Sequence, residues 1–127
     1  SQALWAICAE VIHSLQTINE QRDAHLPRIL DYIEQHCRQD IDFEAMAAEI
    51  GVSYSYMRRI MREQHGRSLI DTVHRCRIEQ AKSLLADPQL TIKQIVETIG
   101  YNNTQSFERY FRRFEGISAS QYRALSK

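Results

Sequence analysis

Apolar positions recur at helical spacing through most of the chain. Met57, Ile60 and Met61 stand at i, i+3 and i+4, as do Phe107, Tyr110 and Phe111, so each segment is expected to bury one stripe of an amphipathic helix. Phe43, Met46, Ala47 and Ile50 predict a shorter helix, and Ile29, Leu30, Ile33 and Cys37 another that follows a break at 22–27, with Pro27 tolerated in its first turn. Leu69, Val73, Cys76, Ile78, Ala81, Leu84 and Leu85 form the inward stripe of a long helix over about residues 68–86. No segment alternates with the period of a strand, so the expected fold class is all-α.

The polar residues between these stripes mark where helices begin and end. Asp42 and Ser53 are placed as N-caps, and Gly51 and Gly66 as stops. Ser68 with Asp71, Thr91 with Gln94, Asn102 with Gln105 and Ser118 with Gln121 each have the spacing of a capping box. Asp87-Pro88 ends the long helix.

The chain contains an internal repeat. Met46 to Gly66 reappears as Ile95 to Gly116, with Ile50-Gly51 matching Ile99-Gly100 at an offset of 49 and Met57 to Gly66 matching Phe107 to Gly116 at an offset of 50. The extra residue lies in the second turn. Each copy reads as an apolar helix, a glycine turn and an arginine-bearing amphipathic helix, which is the pattern of a duplicated helix-turn-helix.

The polar faces of the two second helices carry the candidate chemistry. Ser55, Arg58, Arg59 and Arg62 occupy i, i+3, i+4 and i+7 in the first, and Gln105, Glu108, Arg109 and Arg112 do so in the second. An α-helix fits the major groove of B-DNA, where Arg pairs with guanine, Gln with adenine, and Glu accepts from cytosine. Taken singly, Arg58-Arg59 is more readily a solvated face. Two equivalent rows, each following a glycine turn, are hard to explain by solubility.

Charge adds an asymmetry. The net charge is zero, yet residues 1–50 hold three basic and nine acidic side chains, whereas 51–127 hold thirteen basic and seven acidic. Only the later part suits phosphate, and its modest excess predicts moderate, strongly salt-dependent non-specific binding. The length, with 43% hydrophobic residues, fits one helical cytoplasmic domain with an extra element.

Other chemistries find no pattern here. Cys8, Cys37 and Cys76 are an odd set without a C-x-x-C pair; Cys37 and Cys76 read as small buried hydrophobes, redox sensing being the lesser alternative. The five histidines are dispersed, and no metal or other cofactor is assigned. No phosphate loop, nucleophile elbow or paired carboxylates support an enzyme.

Residues 1–25 form a separate amphipathic element. Leu4, Ile7, Val11 and Ile18, with Leu15 alongside, lie near heptad spacing over about Ala3 to Gln21; Glu10 and Glu20 and the short run argue against a membrane span. The segment also lacks the basic start and cleavage site of a signal peptide. The chain is expected to start mid-protein, with this helix as a connector or homodimer contact, or else packed on the domain.

With these elements in place, the chain resembles the DNA-binding domain of the AraC/XylS family of bacterial transcription regulators over about residues 26–125. The residues that carry the resemblance are Arg77-Ile78-Glu79-Gln80-Ala81-Lys82-Ser83-Leu84-Leu85, Ile92-Lys93-Gln94-Ile95, Ile99-Gly100-Tyr101, Ser106 to Phe114, and Gly116 to Arg123. The resemblance implies seven helices, with lobe one at about 26–67, a linker helix at about 68–86 and lobe two at about 90–125. About 18 residues at 1.5 Å each make the linker roughly 27 Å long, enough with the lobes to reach along a DNA turn of about 34 Å.

Carried onto matching positions, base reading falls to Ser55, Arg58 and Arg59 and to Thr104, Gln105, Ser106 and Arg109. Glu108 is an acidic departure that would read cytosine, reject a wrong base or pair with Arg112. Phosphate contacts are expected from Tyr54, Tyr56, Arg62 and Arg112, with backbone N–H groups at the starts of the recognition helices. Tyr56 could equally pack, and for Tyr101 packing is favoured. The implied function is sequence-specific regulation, more in the manner of an activator, with double-stranded DNA and RNA polymerase as partners. The alternatives are the DNA-binding part of an alkylation-repair methyltransferase and a protein-interaction module.

Overall fold

A computed structural model describes residues 24–126 of the chain. Helix α1 covers 24–36, and is followed by α2 (Phe43–Ile50), α3 (Tyr54–Ile60), α4 (Leu69–Leu85), α5 (Ile92–Thr98), α6 (Thr104–Glu115) and α7 (Ala119–Leu125). Helix α3 runs on through a widened π turn, Met61–His65, closed by a 2.8 Å bond from the Gly66 N–H to the Met61 carbonyl. The described residues are thus all helical, with seven helices and no strand. None of these helices is long and apolar enough to cross a membrane. The helix expected over Ala3 to Gln21 lies outside the described residues.

The local signals act through identifiable bonds. Asp42 accepts from the N–H groups of Glu44 and Ala45, and Gly51, at φ 92°, ends α2 in the left-handed region that glycine tolerates. Ser53 accepts from Tyr56 N–H at 3.1 Å and starts α3. Thr91–Gln94 and Ser118–Gln121 form reciprocal capping boxes.

Three boundary expectations are corrected. The chain is already helical at residue 24, where a break through Pro27 was expected; Leu26 packs on the first core and the His25 ring lies edge-on to Tyr56, so burial extends the helix across the proline. Asn103, not Asn102, caps α6, its side chain accepting from Ser106 N–H at 2.7 Å. Ser68 does cap α4, but Asp71 does not complete a box: its shorter side chain instead accepts from Arg75 Nε at 2.8 Å.

Two apolar cores lie on either side of α4. The first gathers Ile29, Ile33, Met46, Met57, Ile60 and Met61 with Leu69 and Val73; the second gathers Ile95, Ile99, Phe107 and Phe111 with Ile78, Ala81 and Leu85. The N-terminal half of α4 is therefore built into one lobe and its C-terminal half into the other. Within the expected stripe, Cys76 and Leu84 are only half-buried, while Thr72 and Arg77 are buried. At 17 residues, α4 is about 26 Å long.

Candidate nucleic-acid interface

Helices α3 and α6 are each seated by an apolar stripe. Met57, Ile60 and Met61 hold α3, and Phe107 and Phe111 hold α6, each at no more than 3% exposure. Because these residues sit at helical spacing, the opposite face must point outward. Ser55, Arg58, Arg59 and Arg62 are all exposed, as are Thr104, Gln105, Arg109 and Arg112; Ser106 is half-buried and its N–H is used by the Asn103 cap.

The arginines divide into two sets. Arg38, Arg75, Arg77, Arg113 and Arg123 each bond or ion-pair with the protein itself. Among the described residues, Arg58, Arg59, Arg62, Arg109 and Arg112 take part in no ion pair, and neither do Arg28 and Arg67, which lie outside the two rows. Three of them lie near a neighbouring ring: Arg58 is 5.6 Å from the Tyr54 centroid, Arg59 5.8 Å from Tyr56, and Arg109 5.4 Å from Tyr110. Such contacts restrain the stem and leave the guanidinium donors available.

Tyr54 and Tyr56 are half-buried against the first core, and Tyr101 is buried in the second at 7% exposure. Glu108 is drawn aside. Its Oε2 accepts from the Ala119 N–H at 3.4 Å, so the half-buried carboxylate faces the start of α7. The two rows are consequently unequal: where the first carries Arg58, the second carries a carboxylate engaged elsewhere.

A family model for helix-turn-helix domains of the AraC type matches residues 46–125, more than half of the chain. The chain belongs to the AraC/XylS family. LumQ of Photobacterium leiognathi, a probable transcriptional regulator, is 29% identical over 111 residues, which are 86% of this chain and 45% of LumQ. The C-terminal domain of AraT, a response regulator from Geobacillus stearothermophilus, superposes with a TM-score of 0.72 at 32% identity, over 80% of this chain and 84% of that domain. The DNA-binding domain of AdpA, solved in complex with a target DNA, shares the fold, with a TM-score of 0.70 at 24% identity over 79% of this chain and 90% of that chain. The chain spans less than half the length of curated relatives such as LumQ.

Two arginines of this AraC/XylS domain have structural work that residue type alone did not reveal. Arg123 of α7 donates to the carbonyls of Leu85, Asp87 and Leu90, at 3.2, 3.2 and 2.7 Å, and so closes the end of α4. Arg77 is buried at 7% exposure, where a charged side chain persists only with its donors satisfied. Both stand within the residues that carry the family resemblance. Their acceptors are main-chain carbonyls, which no pattern of side chains exposes.

Cys37 is buried as expected, but half-buried Cys76 lines an open cavity of about 560 Å³ between the lobes, with Leu30, Glu34, Gln80 and Phe114 among its walls. The two sulfurs are 3.2 Å apart. That contact holds the Cys37 thiol below its ordinary pKa and the Cys76 thiol above it.

Proposed function

We propose that this chain is the DNA-reading domain of a transcription regulator, placing α3 and α6 in neighbouring major-groove segments on one side of a duplex. What supports the reading is the pair of correspondingly placed outward rows whose arginines are exposed and stay out of the protein's own ion pairs. The first row, Ser55, Arg58 and Arg59, reads bases with the more basic face. The second reads with Thr104, Gln105, Ser106 and Arg109. Tyr54, Tyr56, Arg62 and Arg112 meet phosphate and set register.

Arginine suits the task because its planar fork donates two parallel bonds to guanine O6 and N7, whereas a lysine would act as a point charge. Gln105 offers the matching donor and acceptor for adenine. Helix α4 is long enough, at about 26 Å, to carry the two readers along about one turn of DNA when the lobes' own width is added.

The regulator acts more in the manner of an activator, with RNA polymerase as a partner while bound to DNA. Residues 1–25 would supply a homodimer contact or a connector to an upstream sensor. Selection from random duplex oligonucleotides tests the whole reading. A recovered site covering two separated sub-sites is expected; a single short sub-site would confine reading to one lobe, and failure to recover any sequence would remove it.

A further inference from the structure

Helix α4 changes partner midway. Up to Cys76 its apolar residues pack on the first core, and from Ile78 onward they belong to the second. Among the described residues no continuous apolar core spans both lobes, so the angle between them depends on the ring and polar contacts about the crossover, where His74 stacks on Tyr110 and Arg75 on Phe114. Arg77 lies there.

The Arg77 guanidinium is shared between the lobes. Its Nε donates to the Cys37 carbonyl and its Nη2 to the Gln39 carbonyl at 3.2 Å, both just beyond the end of α1. The same group lies 5.0 Å from the ring centroid of Tyr101, which is buried in the second core. A second tie runs beside it: Gln80 accepts from Arg38 Nε and donates to the Glu34 carbonyl at 3.1 Å.

Gly100 closes the joint from the side of lobe two. Its φ of 95° is one that L side chains rarely adopt, and a Cβ there would stand 2.2 Å from the Arg38 carbonyl oxygen and 2.8 Å from its carbon. Both obstacles are backbone and cannot swing away. The turn before α6 therefore rests directly on the end of α1, and only glycine permits the approach.

We propose that Arg77 and Gly100 are positioning residues that fix the angle between α3 and α6, and so determine which spacing between two DNA sub-sites the domain accepts. The proposal rests on the reading of both helices as DNA probes. Neither residue needs to touch the duplex. One inserted base pair turns the second sub-site by about 35° and moves it by about 3.4 Å, more than a rigid joint can follow.

The test uses the whole chain as wild type, Arg77→Met and Gly100→Ala, titrated against the selected site with one base pair added to or removed from the spacer. The wild type is expected to lose about tenfold or more in affinity at either altered spacing, and both variants about threefold or less. Arg77→Lys, which keeps the charge without the fork, should fall between them and stands in for Arg77→Met if that variant does not fold. Variants that lose the same factor as the wild type across spacings would overturn the proposal.

A second readout needs no DNA. Residual dipolar couplings of backbone amides in the two lobes should fit one alignment tensor in the wild type and two in Arg77→Met. A single shared tensor with unchanged lobe orientation in the variants would also overturn the joint. Separate tensors in a protein that binds no duplex would leave the joint standing and remove the DNA reading instead.

Discussion

The rings of His74 and Tyr110 stack face to face, with centroids 3.7 Å apart and planes inclined by 7°. His74 belongs to α4 and Tyr110 to α6. A 2.7 Å hydrogen bond also joins His74 Nδ1 to the Tyr101 hydroxyl. The imidazole thus sits where α4 meets α6. Burial, with the charge of Arg77 next in importance and those of Arg109 and Arg113 adding to it against Asp71, lowers its pKa to about 4.

That position gives the first prediction. The folded protein keeps His74 neutral down to about pH 4, whereas the unfolded chain protonates near the ordinary value of 6.5. Between these values the unfolded state binds a proton that the folded state refuses, so stability is full above the window and declines as pH falls through it. Urea unfolding at pH 7 and pH 5 should show a smaller acid loss for His74→Phe than for the wild type. Equal losses would show that His74 is not the group responsible.

Arg59 and Arg109 occupy equivalent places in the two repeats and are both exposed. Replacing either by alanine should cost about 1–3 kcal/mol on the selected site and relax preference at one base position. Binding titrations against all single-base variants of that site measure this. A loss spread evenly over every sequence would assign the residue to phosphate.

Arg62 and Arg112 should behave differently, since their proposed partner is the DNA backbone. Alanine at either position should weaken binding to every sequence alike and reduce the slope of log affinity against log salt by about one. An altered base preference with an unchanged salt slope would reverse the assignment.

Glu108 spends its carboxylate on the Ala119 N–H. Glu108→Ala should therefore leave base preference intact, raise affinity for all duplexes modestly by removing a negative charge, and speed amide hydrogen exchange in α7. Selective loss at a cytosine would instead make Glu108 a base reader.

Arg123 satisfies three carbonyls at the end of α4 and the loop that follows. Arg123→Met keeps most of the stem but removes the donors, and should destabilise the domain by about 1.5–3 kcal/mol in urea unfolding. The same sub-sites should be preferred by the folded variant. Undiminished stability would mean that water replaces the guanidinium without loss.

Much of the architecture was legible because it is local. Asp42, Ser53, Thr91 and Ser118 satisfy donors only two or three residues away, and the stripes of α3 and α6 repeat within one helix, so neighbouring letters suffice. The cap of α6 was legible too, from the internal repeat more than from capping-box spacing. Ser53 plus the repeat offset of 50 leads to Asn103, whereas the box spacing led to Asn102.

By itself, then, the order of residues determined the all-helical class, the two repeated amphipathic helices and the identity of their outward rows, since helical periodicity and capping operate over a single turn. Only the tertiary structure decided that Glu108 turns toward α7, that Arg77 and Arg123 are held internally while Arg59 and Arg109 are not, and that Gly100 rests on Arg38. These outcomes depend on main-chain carbonyls and backbone surfaces brought together from positions more than ten residues apart. A carbonyl is common to every residue, so its place in space comes from how the helices pack, and no letter in the chain marks which side chain will meet it.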